Sequence, residues 1–438
     1  MSYRIRCNEF LIFLLYLSVF QNPLEDLLHP LSYFDESWGF LFIMAACLFH
    51  PVIRFSRKYR DWLLIFLTFM AIGLTANALY AYQTAPLVLL DIITNTKFFT
   101  SLFAISLFVN ADGYEIDKSR ISRHVRYISV FLFLLALTDC AVHLLGREDM
   151  YAYLSGGGMK LMYSHVTYLT GALVFLTVLL LFFYRKGNGY FIVANSVVIL
   201  LTMRSKGYGF VAVVFFIWTF IIKNKSFTLK LRHLLMAFSL LLCLAWPKIY
   251  LYYVQLSESS ARAVMTLTSF KIMKDYFPIG VGFGTYGSNA AAVNYSPVYV
   301  KYGFLNYYEL GGNPERTGFF SDTFWPIIFG QTGFLGAVAY LILIGAIFKE
   351  SLKVRHSNRN VYASVLAAIA YLLISSTSEP AFHNSVAIPL TIVLGYAIKM
   401  NASSRSAFDV AKGRFERIAD IRILKQSGGA TPLWEEKN

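Results

Sequence analysis

The sequence predicts an all-α polytopic membrane protein with about twelve transmembrane helices and one long outer loop. Three observations predict this fold class. Of 438 residues, 57% are hydrophobic and 15% charged, whereas soluble domains are about one quarter charged. The apolar residues, including 39 Phe and 29 Tyr, fall in repeated runs of membrane-spanning character. Short charged stretches separate the runs, with a single exception late in the chain.

Taken in order, the apolar runs lie near 9–20, 38–53, 62–82, 86–109, 127–145, 161–184, 189–203, 207–222, 234–254, 324–348, 361–376 and 384–398. Several are shorter than the ~20 residues of a straight spanning helix, so flanking residues must extend them or the bilayer must thin. The first run follows Arg4 and Arg6 as a signal peptide would. Gln21, Asn22 and Pro23 come after it without a small-residue cleavage site, so it reads as an uncleaved helix. The chain thus divides into 1–254 with nine runs, a long loop at 255–320, three further runs at 321–398, and a basic tail at 399–438.

Charge gives the array a direction. With the N-terminus in the cytoplasm, 28 of the 39 Lys and Arg residues lie on the inner side, so the positive-inside rule makes both termini cytoplasmic. That asymmetry accounts for the net charge of +14 without a nucleic-acid partner. From Ser403 to Lys425 the tail is basic with scattered apolar residues, which fits a helix on an anionic inner leaflet or a disordered basic tail. Cys7, Cys47, Cys140 and Cys243 lie in or beside apolar runs with no metal-ligand spacing, so buried thiols are expected, and neither a disulfide framework nor a metal site.

The 255–320 loop is rich in Tyr, Gly, Asn and Ser, and its aromatic content predicts a folded cap over the outer mouth. Beside it, Arg204 and Lys206 occupy a tight outer connection, Met203 to Gly207. Two cations held by adjoining helix ends suit a diphosphate, and they suit snorkelling to lipid phosphates as well. Within the loop come Arg262, Lys271, Lys274 and Tyr276, then glycines at alternate positions including Gly280, Gly282 and Gly284, followed by Tyr286. Such glycines let backbone N–H groups approach a ligand, with Arg262 nearby if the preceding stretch is helical. No strand precedes them, so a dinucleotide site is not indicated.

Asp322 stands at the outer start of the next run. A carboxylate there can take a proton from a hydroxyl, or it can cap the helix. Asp91, Asn95 and Lys97 lie within the fourth run, with Asp91 and Lys97 six residues apart and therefore on different faces. His383 and Asn384 open the last run, behind Ser378 and Glu379. Asp35 and Glu36, with Tyr33 and Trp38, are placed in the first outer loop, where carboxylates and aromatics can meet a sugar or anchor the interface.

The order of these motifs resembles the O-antigen polymerase and ligase family of bacterial surface-polysaccharide assembly. The likeness rests on 203–207, on the long loop with Arg262 and 275–287, and on 321–337. It implies a metal-independent glycosyltransferase, without a cofactor, acting on an undecaprenyl-diphosphate-linked oligosaccharide at the periplasmic face of the inner membrane. It also implies contact with membrane lipids and with a chain-length regulator protein. Arg204, Lys206 and Arg262 would hold the diphosphate, Asp322 and Arg262 would act in catalysis, and Lys274, Tyr276, Gly282, Gly284, Tyr286 and His383 would line the substrate. Where the ligase branch carries His and an acidic residue, this chain has Asp322 and Gln331, which favours a polymerase. The rival readings are a ligase or oligosaccharyltransferase, and a flippase. A flippase would be expected to show internal repeats, and none is visible between the halves.

Overall fold

The computed structural model describes residues 2–49, 57–109, 117–146, 150–224, 230–256, 260–307, 309–311 and 319–401. The basic tail from 402 onward lies outside them. The described residues are predominantly helical, with no strand among them. In chain order the helices are α1 (Ser2–Glu25), α2 (Phe34–Phe49), α3 (Arg57–Tyr80), α4 (Ala85–Val109), α5 (Lys118–Leu145), α6 (Met150–Ser155), α7 (Val166–Phe182) and α8 (Asn188–Leu201). Next come α9 (Ser205–Phe216) and α10 (Leu231–Tyr250), each extended by a π turn, then α11 (Ala261–Asp275), α12 (Asn289–Val293), α13 (Pro297–Lys301), α14 (Trp325–Leu352), α15 (Arg359–Ser375) and α16 (Leu390–Asn401).

Five helical stretches are long and apolar enough to cross a membrane: Lys58–Tyr80, Ala85–Leu107, Lys118–Leu145, Ser205–Lys223 and Trp325–His356. Helices α7, α8, α15 and α16 are apolar but shorter. The outward faces carry Leu64, Leu67 and Leu74 of α3, Leu134 and Leu137 of α5, and Leu341 and Ile342 of α14. Helix α7 is buried along nearly its whole length and apolar on all sides, as the central helix of a bundle must be. Cys47 and Cys243 are exposed and Cys140 is half-buried, contrary to the expected buried thiols. An apolar outer surface accepts a thiol as readily as an apolar core does.

Cross-links at each end hold the helices in register. At one end Lys58 of α3 and Lys353 meet Glu350 of α14, each at 2.5 Å, and Asn401 of α16 donates to the Glu350 carbonyl at 2.6 Å. At the other, Asn22 of α1 donates to Ser164 at 2.8 Å, and Trp325 of α14 donates to Ser376 at 3.2 Å. Helix α2 begins earlier than its apolar run, so Asp35 and Glu36 belong to its first turn rather than to a loop. Acidic residues there are favoured by the helix dipole.

The segment after α11 is a glycine strap laid across a break in α14. Gly333 has φ 60° and ψ −156° inside that helix, which opens its hydrogen-bond ladder. The strap fills the opening: Val281 N–H donates to the Gly330 carbonyl at 3.1 Å, Gly282 N–H to Gln331 at 2.8 Å, and Leu335 N–H to Pro278 at 3.0 Å. The backbones approach so closely that a Cβ on Gly333 would lie 2.4 Å from Gly280 N, and one on Gly280 would lie 2.5 Å from the Gly330 oxygen. Only glycine fits both positions. The Phe283 ring then seats against Gly73 of α3, 5.8 Å from Phe69. Beyond the strap, Tyr286, Tyr299, Phe304 and Phe320 form a second, smaller aromatic core.

Candidate functional site

The glycine run had been expected to cradle a ligand, and its geometry assigns the donors elsewhere. Gly284 N–H donates to Asp91 at 2.8 Å, Phe283 N–H to Asn77 at 2.8 Å, and Gly287 N–H to the Tyr299 hydroxyl at 2.8 Å. Asn95 donates to Asp91 at 2.7 Å, and Gln331 donates to the Tyr286 carbonyl at 2.9 Å. Asp91, Asn95 and Gln331 therefore clamp the strap. Tyr286 is fully buried, with its hydroxyl on the Met265 carbonyl at 2.6 Å. Gly282, Gly284 and Tyr286 are thus packing residues, a correction that follows from their N–H and O–H groups being spent on the protein itself. Tyr276 is buried and bonded to Tyr82 at 2.7 Å and Lys301 at 2.6 Å, while Lys274 is exposed at the end of α11. Arg262 meets none of these groups; its partners are Asp322 and Tyr252.

Several other stretches converge at the end of the bundle that holds Asn22 and Trp325. The α8–α9 connection turns at Met203, whose φ of 55° is unusual for a side-chain-bearing residue. That turn presents Arg204 as the N-cap of α9, without a side-chain cap bond, so the first-turn N–H groups and the positive helix end face the same space. Arg204 Nη2 lies 3.1 Å from His165 Nε2 at the start of α7. Burial, together with the Arg204 and Lys206 charges, pushes the His165 pKa down.

Lys206 points inward. It pairs with Glu379 and lies 3.3 Å from the Thr167 hydroxyl, with the Lys206 and Glu379 side chains only 7% and 11% exposed. Ser375 donates to the other Glu379 oxygen, and the Glu379 N–H donates to the Ser375 carbonyl at 3.0 Å. Burial of this depth rules out snorkelling for Lys206. On the facing side Arg262, in the first turn of α11, donates to Asp322 at 3.2 Å with side chains 28% and 37% exposed. Its guanidinium lies 5.1 Å from the centre of the Tyr252 ring. Glu309 accepts from the Ala261 N–H at 2.9 Å and so caps α11.

Asp322 precedes the α14 N-cap, Phe324, by two residues, so the helix-cap alternative is not taken. Burial raises the Asp322 pKa above the usual aspartate range, against the opposing pull of Arg262. Lys206 is within electrostatic reach of Arg204 and Arg262, and Asp322 of Glu309 and Glu379. Arg204, Lys206 and Arg262 therefore share one mouth with Glu309, Asp322 and Glu379, and Lys160 adds a further cation beside His165.

His383 is not in that mouth. It is buried behind Phe324, with ring centres 4.9 Å apart, and its Nε2 has no partner among the described residues. Lys97 is paired with Asp35 and, at 2.9 Å, with Glu36, which makes a separate buried cluster. Sequence reasoning placed Glu379 only as a neighbour of His383, and His165 and Glu309 it missed. The available signal was an acidic residue closing an apolar run at the same end as two cations. The chain matches no protein-family model, and a comparison with curated proteins finds no match.

Proposed function

We propose that the chain is a surface-polysaccharide polymerase of the O-antigen type. It transfers a growing glycan from its undecaprenyl-diphosphate carrier onto an incoming lipid-linked repeat unit. The observation that carries this reading is the convergence of Arg204, Lys206 and Arg262 on one mouth with a half-buried carboxylate, Asp322, whose pKa is raised.

The reading takes the chain as twelve passes, with the Lys58–Glu350 end cytoplasmic because the Lys- and Arg-rich short loops lie there. The charged mouth then faces the periplasm at the inner membrane. A hydroxyl oxygen of the acceptor sugar attacks the donor's anomeric carbon, the bond from that carbon to the diphosphate oxygen breaks, and the hydroxyl proton passes to Asp322. Negative charge grows on the departing diphosphate, where Arg204, Lys206, Arg262 and the α9 N-terminus stabilise it. The Asp322 and Gln331 positions favour a polymerase over a ligase by the resemblance noted above. A chain-length regulator is the expected protein partner.

Cells lacking the protein are the test. Single repeat units on the lipid core, restored to long chains by the wild type but not by Arg262→Ala or Asp322→Ala, support the reading. Long chains accumulating on the carrier would indicate a ligase, repeat units trapped in the cytoplasm a flippase, and either result overturns it.

A further inference from the structure

The cation best placed to hold a diphosphate is already occupied. Lys206 carries Glu379 on its ammonium group, and Glu379 is preset by Ser375 through both its side chain and its backbone. A counter-ion is needed to bury a lysine, but the chain places this one at the mouth, beside the open N-terminus of α9. At a membrane interface an unoccupied site of this kind would fill with phospholipid headgroups, which are singly charged phosphodiesters in vast excess. Glu379 changes that competition. A phosphodiester displacing it exchanges one negative charge for another and loses the geometry set by Ser375. A diphosphate diester brings two charges and can reach Lys206 together with Arg204 or Arg262.

We infer that Glu379 is a specificity-determining counter-ion, a resident carboxylate that a diphosphate displaces from Lys206 and a single lipid phosphate does not. The inference rests on the reading that this mouth takes a diphosphate. It assigns the residue a role in rejecting the most abundant competitor, in addition to neutralising a buried charge.

The test uses the full-length protein in phosphate-free maltoside micelles, titrated with a farnesyl-diphosphate-linked monosaccharide, which is a diphosphate diester, and with dioctanoyl phosphatidylglycerol. Wild type is expected to prefer the diphosphate, and Glu379→Gln to shrink that preference about tenfold, mainly by gaining phosphatidylglycerol affinity. A preference unchanged within about twofold, or equal loss of both affinities, overturns the inference. The double substitution Lys206→Gln with Glu379→Gln leaves no unpaired buried charge, so it guards against misfolding of the single variant. It should lose diphosphate binding by more than about tenfold. Retention of wild-type preference in the double variant removes Lys206 from the site and overturns the inference. Failure of wild type to bind the diphosphate diester at all overturns the diphosphate reading itself, and the two failures are thereby told apart.

Discussion

The glycine strap and the charged mouth carry the same kinds of residue signal and use them in opposite ways. In the strap, the N–H groups of Gly282, Phe283, Gly284 and Gly287 are all bonded to the protein's own Gln331, Asn77, Asp91 and Tyr299. These four donors are committed to the protein. In the mouth, Lys206 meets Glu379 and Arg262 meets Asp322, so each cation holds a carboxylate from another segment, and the proposed function has a diphosphate compete for the same cations. The difference teaches that a polar group's partner decides its role. The strap's N–H groups are taken up across a broken helix by the protein's own acceptors, whereas the pairs of the mouth set charged side chains of separate segments against one another.

The largest expected effect breaks the mouth while leaving the strap intact. Asp322→Asn keeps the shape and a hydrogen-bond acceptor for Arg262 but removes the base, so polymer formation should fall by about a hundredfold to ten-thousandfold. Thermal unfolding of the purified protein should move little, because the pair is partly exposed and such pairs contribute modestly. Near-normal polymer formation in this variant would remove Asp322 from the chemistry.

The converse substitution breaks the strap. Gly333→Ala forces a Cβ to within 2.4 Å of Gly280 N at a φ of 60°. Clash and strained backbone together are expected to cost about 3 kcal/mol or more. Gly345→Ala, where nothing lies within 4 Å, is the matched control in the same helix. Unfolding temperatures of the two variants in one detergent check this, and equal stability would mean that the strap does not depend on the break in α14.

This contrast also explains what was legible in the sequence. Helical, membrane-type character was readable because apolar runs such as Val166–Phe182 announce themselves locally. Arg204, Lys206, Arg262 and Asp322 were readable as candidates because cations and a carboxylate beside apolar runs are costly without a purpose. The role of the glycines was not. A run of alternating glycines has the same local appearance whether a phosphate or another backbone lies opposite, and here the opposing groups, Asn77, Asp91 and Gln331, are supplied by α3, α4 and α14. Glu379 was hidden for the same reason, since its partner Lys206 is 173 residues away. Asp35 and Glu36 were misplaced in a loop because α2 begins before its apolar run, drawn inward by Lys97.

The smallest effect sharpens the mouth further, through pH. Opposed influences set the Asp322 pKa: burial, joined by the Glu309 and Glu379 charges, raises it above the aspartate range, and Arg262 lowers it. A base must be ionised to accept a proton, so transfer by the wild type should fall as pH drops through that raised value. Arg262→Gln removes the lowering influence and leaves burial and the Glu309 and Glu379 charges, which all raise it. The acidic limb of its pH–rate profile should therefore move to higher pH than that of the wild type, beyond any pH-independent loss from weaker diphosphate binding. Profiles of relative rate against pH isolate the shift, since a uniform loss of affinity lowers the curve without displacing it. An acidic limb that stays in place, or moves to lower pH, would mean that the titrating base is not Asp322. The diphosphate clamp would then stand without the acid–base partner assigned to it.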